Sequence, residues 1–484
     1  MAWKLVNVIS LETCINLTRI DTASSCKTSM TLNDQQQAAI DAMLDFVKIG
    51  REDVFCLIGP AGTGKSFTIQ HLIELLPKNL KVCFTAPTNK AVRVLKTMSE
   101  RQGLAVKCVT IHSLLGLKIE TRGGKEILTS SGKSSIDQFD LVVIDEISMI
   151  DEELLNYLHS AIDMDGVQLI MMGDDAQLPP IGEKKSLTFT FKNSHYLTKV
   201  MRQRSENPIL GLCSDIREAI ENGAMTLPPL QSITNEAGNI GIHVMPGRHF
   251  THWMPSAFSN EKFDGDFDKY RVVAWRNKTV DFYNRKIQKL RYADLDQPFA
   301  IGEPIVFSNP LHAISTEIDF KLDKKLEKDW DKILIGTEAE GKIEKIKKLD
   351  PYTFSPTRKH INNGFHFSTI TLTRYMVTCS IVGQKERVSF IVTDNKQALD
   401  RSLEFMAKNV SAKHFDWIDY WKIKRIFTDI RPAYAMTVHK SQGSTFENVF
   451  VDAQDILSNP NREEALRCLY VAISRASNNV IVNI

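Results

Sequence analysis

Residues 53–76, DVFCLIGPAGTGKSFTIQHLIELL, carry the clearest chemistry in the chain. A short apolar run, Val54–Ile58, leads into a glycine-rich turn and then an amphipathic stretch. Gly59 to Ser66 fits G-x-x-x-x-G-K-[ST] in the strand–turn–helix setting that pattern needs. Gly59, Gly62 and Gly64 let the backbone of the loop, with Pro60, Ala61 and Thr63 between them, aim its N–H groups at phosphate oxygens. Lys65 can reach the terminal phosphates, and the Ser66 hydroxyl can ligate Mg2+. ATP and Mg2+ are therefore the expected ligands.

A second site is implied by LVVIDEIS, residues 141–148. Four apolar residues read as a strand buried on both faces, and they run directly into two acids. Two adjacent carboxylates resist desolvation unless a positive charge is expected there. Asp145 suits a Mg2+ ion on the phosphates, and Glu146 suits a water that attacks the γ-phosphate. A third apolar run, in VQLIMMGDDAQLPPIG, ends near Gln177, which can bond both water and phosphate. Three parallel strands would bring Lys65, Asp145, Glu146 and Gln177 to one carboxyl edge, where open α/β sheets bind ligands.

The elements that must position these groups are legible around them. LNDQQQAAIDAMLDFVKIG begins with Asn33 and Gln36 spaced as a capping box. Ile40, Met43, Leu44 and Val47 then recur at helical spacing, and Gly50 stops the helix. The 484 residues exceed what one core supports, so several domains are expected. Hydrophobic residues make up 43% and charged residues 24%, the mix of a globular protein. The net charge of +2 excludes a polycation but not a locally basic groove. No apolar run approaches the roughly 20 residues of a membrane span, so no membrane partner is expected. The eight cysteines form no C-x-x-C pair, which points to a reducing, cytoplasmic setting. Residues 1–29 lack the features of a secretory signal and read as an accessory extension or a mis-called start, with the functional domain beginning at Met30.

Eight stretches in order resemble the helicase motifs of superfamily 1: GPAGTGKS, APTNKAVRVL, TIHSLLG, VIDEISMI, GDDAQLPPI, VMRQ, TVHKSQGSTF and LYVAISRA. The set is most similar to the RecD/Pif1-like branch and, within it, to the Dda-type helicases of bacteriophages. The resemblance implies an α/β fold with two RecA-like parallel-sheet core domains, a β-hairpin insert in the first and an SH3-like β-barrel insert in the second. The implied boundaries are 30–116 with 138–195, the hairpin at 117–137, then 196–304 with 424–484, and the barrel at 305–423. It also implies that Gln36 reads adenine, that Arg202 and Arg475 reach across a cleft to the γ-phosphate, and that Gly443, beside Gln442, lies on a loop joining nucleotide to DNA.

For the single strand, the resemblance places Pro87, Thr88, Asn89, Lys90, Thr110 and His112 on the first core domain. Thr437, His439 and Lys440 match them on the second. These short polar groups near helix starts hold phosphates without reading bases. Trp275 suits either a base-stacking platform or core packing. LKIETRGGKEILTSS alternates about an Arg-Gly-Gly turn, a hairpin signal at the place where relatives carry a duplex-splitting pin. It contains no aromatic residue, so wedging would fall to Ile119, Ile127 or the glycine tip. NNGFHF resembles the start of the inserted barrel. Phe415, Trp417, Tyr420 and Trp421 suit either a hook against the pin or buried packing.

The expectation is an ATP-dependent 5′→3′ DNA helicase acting on single-stranded and forked DNA in replication, recombination or repair, with polarity taken wholly from the resemblance. A monomer is expected, in the host cytoplasm if phage-encoded, with single-strand-binding or replication proteins as candidate partners. The alternatives are a translocase or annealing motor without efficient unwinding, an ATPase indifferent to nucleic acid, and a non-enzymatic strand-binding protein.

Overall fold

The computed structural model describes residues 31–484 apart from 51, 123–124, 131–133, 200–206, 224–225, 260–262, 264–265, 294, 320–328, 355–369 and 411–416. Residues 1–29, Arg202, NNGFHF and Phe415 thus lie outside the described residues. The chain divides into two compact units. One takes in residues through Ala257 with Asp268–Val280 and Met436–Ile484; the other takes in Phe258–Phe267 and Asp281–Ala435.

The first unit contains two lobes. Its amino-terminal lobe runs α1 (Asp34–Ile49), β1 (Val54–Ile58), α2 (Lys65–Leu75), β2 (Val82–Ala86), α3 (Asn89–Arg101), β3 (Lys107–Thr110) and α4 (Ile111–Leu114). A two-stranded hairpin follows, β4 (Leu117–Arg122) and β5 (Lys125–Ser130), then β6 (Leu141–Ile144), α5 (Glu152–Asp165), β7 (Gln168–Gly173) and β8 (Ser194–Tyr196). Six strands form a parallel sheet in the order β3-β2-β6-β7-β1-β8. Alternation along each strand sends neighbouring side chains to opposite faces. Phe55 and Leu57 pack in the layer of α1 to α3, with Ile40, Ile69 and Leu95. Cys56 and Ile58 pack on the other face with Leu154, Leu158 and Ile162 of α5. That two-sided burial is why the strands read as continuous apolar runs.

Helix α1 starts with the expected capping box between Asn33 and Gln36, and Gly50 ends it with a left-handed φ of 60°. The hairpin pairs in register from Leu117↔Ser130 to Arg122↔Lys125, and Tyr157 donates to the Leu128 carbonyl at its base.

The second lobe opens with α6 (Pro208–Glu221), β9 (Ile233–Thr234), β10 (Gly241–Met245), α7 (Gly247–Ala257), β11 (Tyr270–Ala274) and the start of α8 (Asn277–Arg291). The other unit then intervenes with β12 (Pro304–Phe307), β13 (Leu311–His312), β14 (Ile333–Ile335), β15 (Glu340–Phe354), β16 (Ile370–Ile381) and β17 (Arg387–Val392). After these come α9 (Lys396–Val410), α10 (Trp417–Ile426) and β18 (Ile430–Pro432). Its main sheet has the order β17-β16-β15-β12-β18, and every pairing in it is antiparallel. On α10, Trp417, Tyr420 and Trp421 meet edge-on; Tyr420 packs on that unit's core while Trp417 is exposed.

The chain returns to the second lobe through β19 (Ala435–Thr437), α11 (Val438–Ser441), β20 (Phe446–Val451), α12 (Ala453–Leu457), α13 (Arg462–Ser474) and β21 (Ala476–Asn483). The sheet order is β19-β11-β20-β21-β10-β9, in which β11, β20, β21 and β10 run parallel and β9 antiparallel. The molecule is thus an α/β protein with two mainly parallel sheets and a separate antiparallel sheet. No described helix is long and apolar enough to cross a membrane.

Candidate active site

The phosphate loop joins β1 to α2. Gly62 and Gly64 take left-handed φ values of 83° and 80°, which only glycine adopts without strain. At Gly59 a methyl group would sit 2.5 Å from the Leu197 carbonyl oxygen, so this position is closed to any side chain. Lys65 Nζ donates to the Gly59 and Pro60 carbonyls at 2.6 and 3.2 Å, which folds the amine over the loop. Thr63 Oγ1 donates to Pro60 O and braces the same turn.

Gln36 is fully buried. Its Oε1 accepts from Asn33 N, and its Nε2 donates to Thr63 O, each at 3.0 Å. The residue expected to read adenine is here a strut between the start of α1 and the phosphate loop. Those bonds use one of the amide's two donor hydrogens and one of its two acceptor lone pairs.

The acids follow β6. Asp145 N–H donates to Thr85 O, and Asp145 Oδ1 accepts from Glu146 N at 2.8 Å. Glu146 has a φ of 56°, a left-handed conformation that costs a residue with a side chain about 1–2 kcal/mol. Strain of this kind concentrates where a side chain must be aimed. Burial, then the charge of Glu146, pushes the Asp145 carboxyl above the ordinary range; the Glu146 N–H, Lys65 and Arg475 pull it back. The pair is therefore short of positive charge even with Lys65 and Arg475 acting on it. These carboxylates and the half-buried Ser66 hydroxyl of the phosphate loop offer oxygen donors, the kind that suit Mg2+.

Gln177 lies past the end of β7, 7% exposed, and its Oε1 is a buried acceptor without a hydrogen-bond partner among the described residues. An orphan acceptor beside a phosphate site calls for a donor, and a water held for attack is one.

The second lobe meets this edge at several points. Leu210 of α6 packs 3.0 Å from where a Gly62 side chain would begin. Gln442 Nε2 donates to Leu178 O at 3.2 Å. Gly443, with a φ of 67°, approaches so closely that a methyl there would lie 3.1 Å from Ala91 Cβ and 3.6 Å from Glu146 Cγ and Thr88 Oγ1. Gly443→Ala thus adds crowding at the lobe contact to about 1–2 kcal/mol of backbone strain. It is expected to lower kcat/KM for ATP about tenfold or more; an unchanged steady-state rate would show that this contact is not needed for turnover.

Arg475, at the end of α13, is 6% exposed. Its guanidinium donates to Val471 O, Ser444 O and Ser474 Oγ, and its charge acts on Asp145. Within the first unit, then, Lys65, Glu146 and Arg475 all act on Asp145, and Gly443 abuts Glu146. Arg202 lies outside the described residues.

A polar cluster unforeseen from the sequence joins the lobes beside them. Arg217 of α6 pairs with both Asp174 and Asp175. Tyr470 of α13 bonds to Asp174 and accepts from the phosphate-loop Ala61 N–H at 3.4 Å. Arg467 donates to the carbonyls of Asp175 and Gln177. Burial, then the Asp174 charge, holds the Tyr470 phenol protonated as a donor. Asp174, Asp175 and Tyr470 stood inside the quoted motifs, whereas nothing local marked Arg217. Tyr470→Phe leaves a buried carboxylate short of one donor, at a cost of about 1–3 kcal/mol. If this bond holds the lobes closed, KM for ATP rises about tenfold; a KM like that of the parent would separate the bond from closure.

The residues expected to hold a strand sit largely at helix starts. Thr88, Thr110 and Thr437 cap α3, α4 and α11, each hydroxyl accepting a backbone N–H three residues on. Each keeps its own O–H proton for another acceptor such as a phosphate. Pro87 and Asn89 flank the first cap. Burial lowers the pKa of His112 and of His439, against Asp151 and Glu464 respectively, so both rings are neutral donors or acceptors at pH 7. Lys440 is half-buried beside His439. Lys90 Nζ lies 4.2 Å over the Phe446 ring, whose other cation is Arg271 at 4.7 Å. Trp275 packs partly against the second lobe's core, and its backbone N–H donates to Asp455 Oδ2 at 2.8 Å.

Comparison with known proteins agrees with this arrangement. Residues 31–226 match the AAA domain family and residues 432–482 the UvrD-like helicase C-terminal domain. An uncharacterized protein of Acanthamoeba polyphaga mimivirus is 28% identical over 92% of this chain and 98% of its own length. The ATP-dependent DNA helicase dda of Enterobacteria phage T4 is 26% identical over 93% of this chain and 98% of its own. The RecBCD subunit RecD of Buchnera aphidicola subsp. Acyrthosiphon pisum is 31% identical over 87% of this chain and 68% of its own. The chain belongs to the ATP-dependent DNA helicases of superfamily 1, in the branch that holds RecD and Pif1.

Proposed function

We propose that the protein moves 5′→3′ along single-stranded DNA and unwinds forked duplex, as a monomer, in DNA replication, recombination or repair. One observation carries the motor reading: Gly443 of the second lobe abuts both Glu146 and the strand-contact cap Thr88. Nucleotide state and strand grip therefore meet at a single contact. Polarity rests on the resemblance of the ordered motifs.

In this reading Lys65, Arg475 and Arg202 bind the γ-phosphate from opposite sides, and their charge stabilises the transferring phosphoryl group. Glu146 takes or orients the proton of the attacking water, and the free Gln177 Oε1 accepts its other hydrogen. Ser66 and Asp145 would hold a Mg2+ ion, which would supply charge neutralisation to the phosphates. Once the γ-phosphate leaves, the arginines lose their partner and the lobes part. The threonine caps of the two lobes then alternate their hold on the strand because nucleotide state shifts their relative affinities.

The hairpin of β4 and β5 serves as the duplex-splitting pin, and the antiparallel unit as an SH3-like insert. A second reading, translocation without efficient unwinding, is favoured by the absence of any aromatic residue in LKIETRGGKEILTSS. Forks bearing only a 5′ or only a 3′ single-stranded tail decide between them. Strand separation is expected on the 5′-tailed fork alone. Separation on the 3′ tail alone would reverse the polarity, and ATP-driven movement with no separation on either would establish the second reading.

A further inference from the structure

Three metal-ligating side chains converge away from the phosphate loop. Glu464 and Cys468 are four residues apart on α13, a spacing that sets them on one helix face. His439 reaches the same place from α11. The imidazole, carboxylate and thiol donor atoms all lie within 4.8 Å of one another. Cys468 is fully buried, and the other two are half-buried. None of the three side chains makes a hydrogen bond or ion pair with another described residue. Such donors ordinarily find partners when drawn together. These are gathered without satisfying one another.

A common ligand resolves that. With metal–ligand lengths of about 2.0–2.3 Å, tetrahedral donors stand roughly 3.3–3.8 Å apart, so the cluster must contract by about 1 Å. Turning the half-buried Glu464 side chain would supply that movement. A thiolate, an imidazole and a carboxylate select borderline ions such as Zn2+ or Co2+, whereas Mg2+ and Ca2+ demand oxygen. Three protein ligands leave one position open to water or a phosphate oxygen.

We propose that His439, Glu464 and Cys468 form a site for one zinc-class divalent cation, separate from the Mg2+ of the nucleotide. The ion ties α11, which begins at the strand-contact Thr437, to α13, which ends at Arg475. The site would thus link the strand-holding and phosphate-sensing parts of the second lobe.

The test is a Co2+ titration of the full chain under a phosphine reductant with Mg2+ in excess. Tetrahedral d–d bands and a thiolate-to-cobalt charge-transfer band are expected, displaced by Zn2+ but not by Mg2+. Cys468→Ser is expected to remove the charge-transfer band. Glu464→Gln, on a half-buried position that does not threaten the fold, is expected to weaken Co2+ binding about 10- to 100-fold. The proposal is overturned if the parent chain shows no such bands, or if Cys468→Ser keeps them unchanged, since another cysteine would then be the ligand. Should Cys468→Ser fail to fold, Glu464→Gln decides alone, and an unaltered affinity in it overturns the site.

Discussion

Lys65→Ala is expected to cut ATP turnover by about 10³-fold or more while leaving single-strand affinity within a few-fold of the parent. The amine is already folded over the loop, bonded to the Gly59 and Pro60 carbonyls, and those bonds cost little to exchange for phosphate oxygens. Its loss removes a positive charge from the point where charge develops on the leaving phosphates, and it also deprives Asp145 of one of the groups holding its pKa down. The lysine is half-buried at the start of α2, where alanine is a better helix former, so folding is not at risk. The residues proposed to hold the strand lie at other helix starts, so binding of a labelled oligonucleotide should persist. Phosphate release and oligonucleotide anisotropy on one preparation check both halves. Turnover near that of the parent would refute the assignment of the phosphate loop.

Arg475→Lys is the sharper of the two tests, because it keeps the charge and removes only the fork. A cross-cleft arginine is worth about 10³–10⁵ in kcat, and lysine offers a point charge without the paired donors. A fall in kcat of about 100-fold or more is expected, with KM for ATP changed by much less. Arg475 also supports its own surroundings through Val471 O, Ser444 O and Ser474 Oγ, and lysine can replace only part of that. Thermal unfolding of the variant separates the two roles. A variant that melts like the parent and still hydrolyses ATP at the parental rate would remove Arg475 from the reaction.

Local sequence by itself determined the parts of this protein that are short-range. The glycine spacing, Lys65 and Ser66 follow from the needs of one turn. The capping box of α1 lies within four residues. The near-continuous apolar runs of β1, β6 and β7 report burial on both faces, so a parallel sheet with helices on either side was legible, as was the hairpin about Arg122. The ordered motifs carried the family.

Only the tertiary structure decided the rest. Gln36 was legible as a cap, but that its Nε2 is committed to Thr63 O depends on where α1 packs against the loop. Tyr470 and Asp174 meet across 296 residues of sequence, and Arg217 joins them from a helix whose own pattern marks no polar contact. Lys90 over Phe446 pairs a residue proposed to hold a strand phosphate with a ring from the opposite lobe. The contacts of Tyr470, Arg217 and Lys90 depend on how the two sheets dock. Hydrophobic periodicity encodes which face of an element is buried, not which distant polar group it will find there.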